Sequence, residues 1–137
     1  MPTRRQLLVG AAACVAASTL HPRLLRAMSQ ATGGKHPKPR PGIDASKVLA
    51  TKELKVPEAA AAFDDARAIP QIIDGIRCHC GCSEWEGKYS LLSCYEGDGM
   101  AQHCEICQGQ ARLARRLYRM RRSLDDIRSA IDAKYAT

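Results

Sequence analysis

"CEICQGQARLARRLYRMRRSLDDIRSAIDAKY", Cys104 to Tyr135, carries two helical patterns in succession. Ile106, Leu113, Leu117 and Met120 recur at spacings of seven, four and three, one stripe of a helix whose other face holds arginines. Ser123 then stands three residues before Asp126, a close variant of the capping box in which Asp replaces Glu. Ile127, Ile131 and Tyr135 follow at every fourth position, so a last amphipathic helix folds back on the one before it. Upstream, "PEAAAAFDDARAI", Pro57 to Ile69, has proline at a first-turn position, an acid beside it and good helix formers up to Pro70, and reads as a further helix. "PQIIDGI" restarts as a short turn that delivers Ile72, Ile73 and Ile76 to a core. The fold class that follows is all-α: a small helical domain, 57–137, around a cysteine-rich loop, preceded by a signal segment and a flexible linker.

The core must be small. Six aromatic residues, Phe63, Trp85, Tyr89, Tyr95, Tyr118 and Tyr135, are available among 137. A domain of this size needs a staple, because the apolar area it buries only narrowly offsets chain entropy. The cysteines supply that staple.

Residues 1–31 read as an address. Arg4 and Arg5, then Gln6 and two leucines, open an uncharged apolar run of 14 residues, Leu7 to Leu20, short of the roughly 20 that a spanning helix needs. This resembles a twin-arginine export signal, with an ordinary secretion signal as the alternative. The resemblance implies the twin-arginine translocase as a partner and an extracytoplasmic destination, in the periplasm or cell envelope. It adds weight to a cofactor, since that pathway carries proteins already folded. Cys14 sits inside the apolar run and reads as a small residue of the signal, so membrane attachment is expected only if the chain is lipidated or the signal stays uncleaved. "ATGGKHPKPRPG", Ala31 to Gly42, has linker composition, and 32–56 is expected to be flexible, with His36 solvated.

The formal charge of +7 suggests nucleic acid until it is divided along the chain. Arg4, Arg5, Arg23 and Arg26 fall in the signal segment; without them 17 of the 21 basic residues face 14 acidic ones, a net +3. The arginines of Arg112 to Arg122 then read as a solvated helix face, and no nucleic-acid partner is expected.

Six cysteines remain beyond the signal, Cys78, Cys80, Cys82, Cys94, Cys104 and Cys107, all within 30 residues. In an exported protein an even count suggests disulfides. Against that, Cys-x-Cys repeats in an extended stretch point their sulfurs to a common side. Cys104 and Cys107, three apart at a helix start, also point at one centre, where exposed N–H groups favour thiolates. Thiolates are soft donors suited to Cu(I), Zn(II) or iron–sulfur clusters. The spacing departs from zinc-ribbon knuckles. Gln108 after Cys107 argues against covalent haem, and the lack of a βαβ pattern argues against a thioredoxin-like centre. His103, just before the helix, is a candidate ligand; His79, between two cysteines, points away from their sulfurs and is expected to be exposed.

"CHCGC", "YSLLSCY", "HCEIC" and "LDDIRSAIDAKY" together resemble the bacterial exported proteins and lipoproteins named for a Pro-Cys-Tyr-Cys-Gly-Cys motif, over roughly Ile69 to Tyr135. The resemblance places the motif's cysteines on Cys78, Cys80 and Cys82, its glycine on Gly81, and the later cysteines on Cys94, Cys104 and Cys107. Arg77 replaces the motif's proline and His79 its tyrosine. A histidine that the family tends to carry before "SL" is replaced here by Lys88-Tyr89.

Two functional readings follow. The first is a non-enzymatic, exported soft-metal protein, a carrier or store of Cu(I) or Zn(II) with a metal-delivery partner, its ligands drawn from Cys78, Cys80, Cys82, Cys94, Cys104, Cys107 and His103. The second is a disulfide-stapled extracytoplasmic interaction module without metal or catalysis. A thiol oxidoreductase built on Cys104 is a third, for which nothing in the sequence supplies a substrate pocket.

Overall fold

Ser123 caps the last helix as its spacing predicts. Its Oγ accepts the Asp126 N–H at 3.1 Å, and the Asp126 carboxylate accepts the Ser123 N–H at 3.3 Å. The computed structural model describes residues 35–136. The expected signal, 1–31 with Cys14, and the first residues of the expected linker lie outside the described residues.

The described residues are helical. Turns of 3-10 helix at Thr51–Glu53 and Pro57–Ala59 lead into α1, Ala60–Ala68. Pro70 ends one pattern and opens the next, α2, Pro70–Asp74, because its missing N–H is tolerated only in a first turn. The cysteine loop holds a short α3, Gly81–Trp85, and 3-10 turns at Leu92–Cys94 and Met100–His103. The long α4, Glu105–Arg119, and α5, Leu124–Tyr135, complete the chain. Among the described residues there is no strand, only an isolated antiparallel bridge between Val48 and Glu96. No described helix is long and apolar enough to cross a membrane.

Helix α4 is the centrepiece, packed against α1 on one side and α5 on the other. Its buried face is not the stripe of large residues expected. Leu113 is buried and Leu117 half-buried, but Ile106 and Met120 are exposed. Cys107, Gln110, Ala111 and Ala114 face inward instead. Small residues let α1 come close with its own alanines, Ala62 and Ala66. Phe63 of α1 meets Tyr95 edge to face at 4.7 Å between centroids, and both rings are fully buried. Tyr95 satisfies its hydroxyl on the Cys107 carbonyl at 2.8 Å. On α5, Ile127 and Ile131 are buried and Tyr135 half-buried, as their spacing predicts.

The expected flexible linker is corrected by its contacts over 35–56. Arg40 reaches the fully buried carboxylate of Asp74 with its backbone N–H at 2.7 Å, Nε at 3.1 Å and Nη2 at 2.6 Å. Ser90 Oγ donates to the same carboxylate at 2.6 Å. Burial alone would raise the pKa of Asp74; the hydrogen bonds from Arg40 and Ser90 outweigh it and hold the pKa below its ordinary range. Val48 is buried and bonded into the domain through its neighbour, as Leu49 N–H donates to the Tyr95 carbonyl at 2.9 Å. The segment is thus a strap held by charge and backbone hydrogen bonds, which its proline-rich composition does not announce.

Two variants test this frame. Arg40→Ala strands a buried carboxylate and is expected to cost on the order of 3 kcal/mol, the low end for a broken buried pair because Arg40 is itself about a third exposed; a shift in the denaturant midpoint measures it. Gly99 sits at φ +61°, and a Cβ there would lie 2.7 Å from Leu49 Cδ2 and 3.1 Å from Phe63 Cε1. Gly99→Ala should therefore lose about 1–2 kcal/mol from backbone strain and more from the clash, read by the same unfolding curve.

Candidate metal centre

Cys78 and Cys80 lie on the strip between α2 and α3, and both side chains turn into the core. Gly81 starts α3, so the alternation stops and Cys82, one step further, is carried to the surface. Cys107 occupies the third position of α4 and faces inward. The three sulfurs of Cys78, Cys80 and Cys107 lie within 4.8 Å of one another. Cys78 Sγ and Cys107 Sγ are 3.2 Å apart. Among the described residues no cysteine is joined in a disulfide, and no other three cysteine, histidine or carboxylate groups bring ligand atoms so close together.

A fourth buried sulfur, Cys94 on the 3-10 turn at Leu92–Cys94, lies beside this group but outside it. Cys94 is fully buried and its Sγ donates to the Ser90 carbonyl at 3.9 Å; the Cys107 and Cys78 thiols near it push its pKa down to about 5. The contact with Cys107 draws Cys78 down, but its bond to Cys94 and its burial prevail and raise it to about 11. Cys107 is raised further by its bonds to Cys78 and Cys94 and by burial. The sulfurs thus perturb one another strongly and in opposite directions. Negative charge on buried sulfurs is costly without a cation among them.

Such a donor set fits a soft ion. Four tetrahedral sulfurs at the usual zinc–sulfur length of about 2.3 Å stand about 3.8 Å apart, inside the 4.8 Å span of the three. Two or three sulfurs satisfy Cu(I), which is also soft. A bound cation would supply the charge that lets more than one thiol lose its proton. The Cys-x-Cys repeat and the helix-start cysteine thus converge as their spacing suggests, through Cys78, Cys80 and Cys107.

The other candidates fall elsewhere. Cys104 caps α4 from an extended backbone, φ −127° and ψ 107°, and is half-buried. That conformation takes it off the helix face which Cys107 shares. His103 is exposed. Neither belongs to the close group, and nor does Cys82.

His79 does point away from its neighbours' sulfurs, yet that side is not solvent, and its expected exposure is corrected: the side chain is 4% exposed. Its N–H donates to Gln110 Oε1 at 3.1 Å, while Gln110 Nε2 donates to the Arg77 carbonyl at 3.0 Å and to His79 Nδ1 at 2.8 Å. These bonds place the His79 proton on Nε2, 2.9 Å from Asp132 Oδ1. His36, expected to be solvated, accepts the Arg77 N–H on Nδ1 at 3.0 Å and presents Nε2 to both Asp132 oxygens at 3.1 Å. Both histidines have their Nδ1 lone pairs engaged; His36 gives its Nε2–H to the Asp132 carboxylate, while His79 Nε2, buried 2.9 Å from Asp132 Oδ1, makes no hydrogen bond with it. They brace the backbone from Arg77 to Cys80 and are not placed as ligands.

Sequence reasoning missed Asp132 and Gln110. Each leaves a trace: Asp132 interrupts the buried side of α5 beside Ile131, and Gln110 stands one turn on from Cys107. Compared with family models, with curated proteins and with solved structures, the chain matches none.

Burial lowers the pKa of His36 below the ordinary 6.5, and the Asp132 contact only partly offsets it. The folded chain therefore resists a proton that the unfolded chain accepts. The contribution of His36 is intact above 6.5 and is lost as pH falls from there through its folded value. Thermal unfolding followed between about pH 7.5 and 5 should show a midpoint that falls on the acid side, and His36→Gln should flatten that fall.

Proposed function

We propose that the chain is an exported, non-enzymatic soft-metal protein, a carrier or store of Cu(I) in preference to Zn(II), with Cys78, Cys80 and Cys107 as the core ligands and Cys94 beside them. The observation that carries this reading is the burial of three sulfurs within 4.8 Å of one another, with no disulfide among the described cysteines. The preference for Cu(I) rests on coordination number. Three sulfurs lie within 4.8 Å of one another, enough for a cuprous ion, whereas structural zinc asks for four and Cys94 stands outside that close group. A core with no exposed sulfur among the three also keeps water from Cu(I). The twin-arginine-like segment and the resemblance to the Pro-Cys-Tyr-Cys-Gly-Cys proteins support export and a shared cysteine architecture.

One contact favours a second reading. Cys78 and Cys107, 3.2 Å apart, are a pair that an oxidising envelope would join, giving a disulfide-held module.

The full chain isolated anaerobically from the cell envelope, with metal content and thiols measured on one sample, separates the two. The metal reading expects near-stoichiometric copper and, once the copper is chelated away from the denatured chain, six titratable thiols beyond the signal without added reductant. Cys78→Ser, Cys80→Ser and Cys107→Ser should each remove most of the copper; Cys82→Ser and Cys104→Ser should keep it. Metal-free protein with two fewer thiols, restored on reduction, overturns the metal reading in favour of the disulfide.

A further inference from the structure

An open cleft of about 460 Å³ lies against the sulfur cluster, and Cys78 forms part of its wall. The rest of the lining is Lys35, His36, Pro37, Lys38, Arg77, Lys88 and Tyr89: four cationic side chains and no acid. The strap puts two of those cations in place. Tyr89 Oη donates to the Lys38 carbonyl at 2.5 Å, Arg128 donates to the Pro37 carbonyl at 2.8 Å, and His36 is held on Asp132 at 3.1 Å. Lys88 carries an ion pair with Glu86 at 3.3 Å, outside the lining. The charge is local, because the chain beyond the signal segment carries only +3. A second basic cleft, between α4 and α5, is lined by Arg112, Arg116 and Lys134 but by no cysteine.

A concave site of this size and sign recognises a small multiply charged anion. The metal it abuts has its own chemistry: a cuprous ion travels bound, and its small-molecule carriers are thiols or aromatic nitrogen ligands that often bear carboxylates. We propose that this cleft is the entry vestibule of the sulfur cluster, taking Cu(I) as an anionic, carboxylate-bearing small-molecule complex and positioning it beside Cys78. The inference rests on the Cu(I) reading above. Transfer is a ligand exchange without redox change. A copper–sulfur bond forms at a protein thiol, a bond to the carrier breaks, copper stays Cu(I), and the thiol proton leaves with a departing thiolate or passes to water. The carboxylates of the carrier meet Lys35, Lys38 and Lys88 during the exchange and depart with it.

The test measures transfer rates by stopped-flow absorbance from two donors of opposite charge, the bicinchoninate complex of Cu(I), an anion with carboxylates, and the acetonitrile complex, a cation. Reduced full-length protein is compared with Lys35→Glu/Lys38→Glu and with Arg116→Glu/Lys134→Glu, the same charge change at the second cleft. The vestibule expects the first double variant to slow transfer from the anion about tenfold or more, within the usual span of electrostatic steering, and to speed transfer from the cation. The second variant should change either rate far less, and added salt should slow the anionic donor on wild type. Equal effects of the two variants, or slowing of both donors by the first, overturns the vestibule. Copper bound at equilibrium is measured alongside: a chain that takes up none from either donor fails at the metal reading, whereas one that fills but does not distinguish the donors by charge fails only here.

Discussion

The contact of Cys78 with Cys107 joins the two parts of the domain that sequence holds furthest from agreement. Cys78 belongs to an irregular strip after α2, and Cys107 to the first turn of the longest helix. With Cys80 and Cys94 they fill the space that large side chains fill in an ordinary core. Only two of the six aromatic rings, Phe63 and Tyr95, are fully buried. The rest of the interior is alanine and short aliphatic chains. Sulfur is dense and polarisable enough to pack in such a place, and the Tyr95 hydroxyl ties the same turn of α4 to the loop through the Cys107 carbonyl. The centre and the core are therefore one object, and a change at either is felt by the other.

A ring of polar bonds holds that object from outside. Asp74, fully buried at the end of α2, collects Arg40 and Ser90; Asp132 on α5 collects His36 and His79. Each carboxylate takes one partner from the strap and one from the cysteine loop. The strap thus links α2 and α5 across the mouth of the loop, and the same links fix the backbone on both sides of Cys78. Buried charges of this kind contribute little net stability, but the loss of one partner is costly. They specify an arrangement that a small alanine-rich core does not specify alone.

The elements governed by local rules were legible. The Ser123–Asp126 box, the proline starts at Pro57 and Pro70, and the stripe of Ile127, Ile131 and Tyr135 all depend on neighbours within a turn or two. The buried face of α4 was not, since Cys107, Gln110, Ala111 and Ala114 carry almost no hydropathic signal, while Ile106 and Met120 draw the eye to the wrong side. The strap was hidden for another reason: the pairs His36–Asp132 and Arg40–Asp74 span 96 and 34 residues and have no period. For His79, alternation told correctly where the ring would not point. What lay opposite, Gln110 and Asp132, came from two helices that a local pattern does not place.

Three cysteines converge and the others do not because the backbone pattern that aligns their sulfurs has limited reach. Alternation carries Cys78 and Cys80 to one side only while the chain stays extended, and α3 begins at Gly81, before Cys82. Helical periodicity applies to Cys107 but not to Cys104, whose cap conformation lies outside the helix. A pattern of residues therefore predicts a site only as far as the secondary structure that generates the pattern extends. Here that limit sorts six cysteines into a buried group of four and two nearer solvent. The sorting has chemical weight, because Cys78 and Cys107 cannot be both a disulfide and ligands. Which state prevails depends on whether a cation reaches the buried sulfurs before an oxidant does. A cation-lined cleft beside Cys78 favours negatively charged visitors, so it would speed the metal only if the metal arrives in anionic company.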